Sequence, residues 1–78
     1  MKRTPKVLRA HNFIPGELYS FLFKETLTNP QGETFILKEE TPLLFLSINQ
    51  LTLEFLYEDK VITKKVEAYM PFCVYTYE

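Results

Sequence analysis

The residue pattern predicts an all-β protein, a small antiparallel barrel of five or six short strands. Three observations carry this. Apolar residues recur at period two over most of the chain, which is strand periodicity. The alternating stretches are punctuated by turn formers: Pro15-Gly16, Asn29-Pro30-Gln31-Gly32, Thr41-Pro42 and Met70-Pro71. The third is the apolar load: 78 residues are 46% hydrophobic and include seven Phe and five Tyr. One open sheet would leave a face of Tyr, Phe and Leu in water and two edges unpaired, whereas closure into a barrel removes both problems. A chain this long folds to roughly 5,000 Å² of surface from about 13,500 Å² extended, enough for one thin core and one domain.

The elements follow in order. In Glu17–Thr28, Tyr19, Phe21, Phe23 and Leu27 share one parity, interrupted by Glu25. The opposite parity starts with Leu18, Ser20 and Leu22 and turns polar, so this strand has one buried face and a second covered only at its start. Asn29-Pro30-Gln31-Gly32 has the residues of a type I turn, because Pro presets φ near −65° at its second position. Glu33–Lys38 returns as a strand with Phe35 and Leu37 in register, ending at Glu39-Glu40-Thr41-Pro42. Leu43–Ile48 is almost continuously apolar, as in a strand buried on both sides. Its leucines also suit a short helix over 43–51, and that alternative stays open. Asn49-Gln50 is a two-residue connection without the Gly a tight hairpin prefers. Leu51, Leu53, Phe55 and Tyr57 then alternate, and Glu58-Asp59-Lys60 turns the chain. Val61–Tyr69 has Ile62, Val66 and Ala68 on its apolar parity with Lys64 intruding, and Phe72–Tyr77 is the last strand.

This order resembles an SH3-like barrel over roughly residues 16–77: a first strand from Glu17-Leu18-Tyr19-Ser20-Phe21, a long connection, three meandering strands, a Pro break and a short final strand. The resemblance is one of element order and transfers no function. The chain has no Trp and its Lys24–Gly32 connection carries only Glu25 as an acid. The proline-binding groove and acidic loop of peptide-binding SH3 domains are therefore missing.

Charge divides the chain into a basic N-terminal arm, residues 1–12, and a barrel, residues 13–78. Lys2, Arg3, Lys6 and Arg9 stand in the arm without an acid, while the rest holds five Lys against ten acids. The arm is expected to be either disordered or an added strand. Its four cations are the candidate phosphate contacts, although an acidic body repels a polyanion. The residues after Lys6 are broken by charge and the longest apolar run is Leu43–Leu46, so neither an export signal nor a membrane span is expected. With a lone thiol, this predicts a reducing cytoplasm.

Catalytic apparatus is sparse. His11 is the single imidazole and Cys73 the single thiol, so no disulfide and no Cys/His zinc site can form within one chain. Cys73, between Phe72 and Val74, reads as an inert strand thiol. Glu39-Glu40 and Glu58-Asp59 sit at turns, and two glycines cannot build a phosphate-cradling loop. No enzyme, metal or cofactor is expected. The aromatics exceed what so small a core can hide, and the surplus would form a protein-contact patch. Tyr57, Tyr69, Tyr75 and Tyr77, at strand ends or near the C-terminus, are the candidates, since Tyr is both apolar and hydrogen-bonding. The expected function is a protein-binding module, a stand-alone modulator or inhibitor of a larger protein. The alternatives are nucleic-acid binding through the basic arm and a self-assembling structural subunit, a homo-oligomer. In composition the chain resembles small proteins of phages and low-GC bacteria.

Overall fold

The computed structural model describes residues 2–78 and is all-β, a curled antiparallel sheet forming a half-barrel. The strands are β1 (Arg3–Leu8), β2 (Leu18–Phe21), β3 (Glu25–Thr28), β4 (Thr34–Leu37), β5 (Leu43–Asn49), β6 (Thr52–Tyr57), β7 (Lys60–Lys65) and β8 (Phe72–Tyr77). Their order in the sheet is β1-β8-β2-β5-β6-β7-β3-β4. A 3-10 turn, Ala10–Asn12, follows β1 and is closed by the Asn12 N–H on the Arg9 carbonyl at 2.9 Å and the Arg9 N–H on Asn12 Oδ1 at 3.0 Å.

Eight strands replace the five or six expected. One addition is β1, in the basic arm, which pairs along its whole length with β8. The other arises because the Glu17–Thr28 run is not one strand: the chain bends at Leu22–Lys24. The bend explains the curl. β2 and β3 are the ends of the five-strand path β2-β5-β6-β7-β3, and in a flat sheet they would lie about 19 Å apart. The four chain steps from Phe21 to Glu25 reach at most about 14 Å. The sheet therefore curls. Phe23, expected inside with Tyr19 and Phe21, is thrown outward at the bend and is 64% exposed.

Other boundaries shift for local reasons. Leu43–Asn49 is strand rather than helix, and it is not buried on both sides: Leu43 and Phe45 face the core while Leu44 and Leu46 are half-buried. A register shift between Phe45 and Ser47 makes Leu46 the extra residue of a bulge. The two hairpin turns are Gln50-Leu51 and Glu58-Asp59, between the paired residues Asn49↔Thr52 and Tyr57↔Lys60. All four turn residues have positive φ (49°, 61°, 47° and 65°), as type I′ requires to match strand twist. The Asn29–Gly32 turn forms as expected, with the Gly32 N–H on the Asn29 carbonyl at 2.9 Å and Gly32 at φ 88°. Val66 leaves the β7 ladder to bond the Leu51 carbonyl, and Glu67–Met70 turns the chain into β8.

The core lies on the concave face. Phe13, just after the 3-10 turn, is its hub, with ring centroids 4.8 Å from Tyr19, 5.4 Å from Phe45 and 5.9 Å from both Phe55 and Phe72. These are the edge-to-face and tilted distances that add to simple burial. Tyr19 is buried with its hydroxyl accepting the Ile14 N–H at 2.9 Å. The two charges that broke the apolar parities, Glu25 and Lys64, find each other as a half-buried ion pair at 3.0 Å. The total surface, 5214 Å², matches the scaling for this length. Among the described residues no helix is long and apolar enough to cross a membrane.

Candidate functional site

An antiparallel sheet with one face on the core normally presents polar side chains on the other. Here the convex face divides into two parts. Leu18 pairs with Leu44, Leu44 with Leu56, and Leu56 with Val61, so four strands place an unbroken apolar row side by side. The three leucines are half-buried and Val61 is 37% exposed. The neighbouring row is polar and internally bonded. The Ser47 hydroxyl donates to Glu54 Oε1 at 2.6 Å, Glu54 pairs with Thr63, and Thr63 meets Thr28. The two rows alternate with the buried Phe45, Phe55 and Ile62: the strand period sets them apart on β6 and β7, and on β5 the bulge at Leu46 brings Ser47 opposite Glu54.

Beyond Leu18 the apolar row runs into β8, whose outer residues are Cys73, Tyr75 and Tyr77. Ser20 pairs with Tyr75 and is fully buried although it points to the convex side. Its hydroxyl lies 2.7 Å from the Tyr77 hydroxyl, so the tyrosine ring lies across this part of the sheet. Arg3 reaches over from β1, its guanidinium 4.2 Å from the Tyr75 ring centroid and ion-paired to Glu40. Such an Arg is held by ring quadrupole and carboxylate together.

The four sequence-chosen tyrosines therefore separate. Tyr75 and Tyr77 stand together on the outer face of β8. Tyr57, at the end of β6, packs against the core. Tyr69 sits on the β7–β8 turn, 85% exposed. Leu18, Leu44, Leu56 and Val61 escaped sequence reasoning. The signal was the second apolar parity at the start of the Glu17–Thr28 run and in the Leu43–Ile48 run, which looks the same whether the far side meets protein or water.

The arm's four cations are not gathered either. Alternation along β1 sends Arg3 to one side and Lys6 to the other, and Arg3 is engaged by Glu40 and Tyr75. Lys2 is tied by its backbone to Glu78. His11 is exposed on the 3-10 turn, and Cys73 is half-buried on β8. Among the described residues no group of three His, Cys, Asp or Glu side chains is placed to hold a metal ion. A shallow cleft of about 180 Å³ lies between Lys6, Glu17, Tyr19 and Tyr77. It is smaller than the 300 Å³ or more of a typical small-molecule site.

Compared with family models, curated proteins and solved structures, the chain matches none of them.

Proposed function

We propose that this protein is a non-enzymatic protein-binding module, a small modulator or inhibitor of a larger partner. It binds through the apolar band that runs from Tyr75 and Tyr77 across Leu18, Leu44 and Leu56 to Val61. The observation that supports this reading is the cross-strand register Leu18↔Leu44↔Leu56↔Val61 on a face that an isolated sheet keeps polar. Tyr75 and Tyr77 supply aromatic anchors of the kind that dominate binding energy. The proposal includes an SH3-like element order, supported by the β5-β6-β7 meander and by β8 after Met70-Pro71. It also includes a cytoplasmic setting, supported by the lone thiol.

The test is a tagged pull-down from nuclease-treated lysate with three baits: the natural chain, Leu56→Lys on the apolar row, and Thr63→Lys on the polar row. One stoichiometric protein partner is expected with the natural and Thr63→Lys baits and not with Leu56→Lys, all three baits remaining folded by urea titration. A partner retained by Leu56→Lys rejects this face. Nucleic acid in an untreated eluate, with all proteins lost on digestion, transfers the function to the basic arm. That arm's signature is a steep loss of binding with salt, which an apolar face lacks.

A further inference from the structure

β1 is held to the molecule mainly by its backbone. None of its residues is fully buried: Thr4 and Leu8 are half-buried and Val7 is 64% exposed. Its side-chain ties are Leu8, which packs against the edge of the core, and Arg3, which lies over the Tyr75 ring and pairs with Glu40 where both side chains are nearly half exposed, a kind of ion pair that adds little. Immediately after it, Ala10 and Phe13 are anchored in the core, so release of β1 stops at Arg9 and leaves the aromatic cluster in place.

The slot beneath β1 is well defined. Lys2 and Glu78 exchange backbone hydrogen bonds at 3.3 and 2.8 Å, which fixes Thr76, Val74 and Phe72 as the residues whose N–H and C=O face β1. Cys73 and Tyr75 face β2 instead, as the Leu22 N–H on the Cys73 carbonyl at 3.0 Å shows. In the same alternation the missing N–H of Pro5 falls on the outer edge, where it costs no ladder bond and blocks the addition of a further strand.

We propose that β1 is a releasable strap hinged at Arg9, and that the vacated β8 edge accepts β1 of a second copy to give a strand-exchanged dimer. The second copy is the occupant because its β1 reproduces the register, the side-chain parity and the Pro5 position. Exchange also lays each basic arm, with Lys2, Arg3, Lys6 and Arg9, on the acidic body of the other copy. Every β1–β8 contact survives exchange, so no new interface is needed. The tethered strap competes at an effective concentration on the order of millimolar, so exchange needs protein at that level. This inference does not rest on the protein-binding reading.

Val7 stands opposite Cys73 at a pair that is not hydrogen-bonded, where Cα atoms approach to about 4.5 Å, within disulfide range. Val7→Cys therefore reports which copy's β1 lies on which β8. Equal amounts of 15N-labelled and unlabelled Val7→Cys chain are mixed near ~1 mM, oxidised with diamide and digested for mass spectrometry. Mixed-label disulfides joining position 7 to Cys73 are expected, declining on dilution. Disulfides confined to single chains at every concentration, or joining two Cys73 thiols, overturn the exchange. Hydrogen exchange on the natural chain tests the strap itself. The Lys6 and Leu8 amides are expected to exchange about 100-fold faster than the Phe45 amide, and equal rates overturn it.

Discussion

Ser20 and Tyr77 form an unequal pair. Ser20 is fully buried with Tyr77 2.7 Å away, while Tyr77 is only partly buried and has water to turn to. Losing the partner of a buried hydroxyl costs more than losing a hydroxyl whose partner can be solvated. Tyr77→Phe is thus expected to destabilise by about 1–3 kcal/mol and Ser20→Ala by about 1 kcal/mol or less, read from urea titrations. Phe23 and Phe55 make a second contrast. Both lie on apolar strand parities, yet Phe55 is fully buried and Phe23 is 64% exposed. Phe55→Ala is expected to cost about 3–5 kcal/mol, close to the whole stability of a small domain. Phe23→Ala is expected to stay within about 0.5 kcal/mol of the natural chain in the same titration. The Glu25–Lys64 pair, with about a fifth to a quarter of each side chain exposed, sits between these limits. Glu25→Ala leaves Lys64 half-buried without its partner and destabilises, whereas replacing both by Met is neutral or stabilising. A double-mutant cycle separates the two effects.

At the scale of elements, the turns carry the most legible strain. Glu58 and Asp59 both occupy positive φ, at 47° and 65°, in a two-residue turn that suits Asn-Gly far better. Replacing them together by Asn-Gly is expected to stabilise the β6–β7 hairpin by about 1–2 kcal/mol, checked by thermal and urea unfolding. The same exchange at Gln50-Leu51 brings no such gain, because it removes the Leu51 side chain that packs against the core. Gly32 is the converse case. It stands at φ 88° with nothing within 4 Å of where a Cβ would be. Gly32→Ala therefore costs conformational energy alone, about 1 kcal/mol in the same assays. On the convex face the element scale separates the apolar row from the polar one: β6 and β7 contribute to both one pleat period apart, and β5 does so across the Leu46 bulge.

For the whole molecule, the topology sets the folding kinetics. β1 pairs with β8, β2 with β8 and β3 with β7, so the sheet is completed only when strands far apart in the chain meet. Loop-closure entropy must be met before these contacts stabilise anything. Refolding is therefore expected on the millisecond-to-second scale by stopped-flow fluorescence of the tyrosines, slower than a helical protein of this length. The β5-β6-β7 meander has the short-range contacts to form early. Substitutions in it are expected to slow folding, and substitutions in β1 to speed unfolding instead.

The sequence by itself determined the strand class, the Asn29–Gly32 turn, the meander and most of the aromatic core, because period-two alternation and Pro/Gly punctuation are local properties of the chain. It also marked Glu25 and Lys64 as anomalies without showing that each answers the other. Only the tertiary structure decided the strand count, the exposure of Phe23 and the apolar row of the convex face. The reason is geometric. A bend of three residues must return a five-strand path to its start, which forces the sheet to curl and turns Phe23 outward. The row Leu18–Leu44–Leu56–Val61 exists only through register between strands distant in sequence. Alternation tells which residues share a face of one strand, and pairing alone tells which faces become one surface.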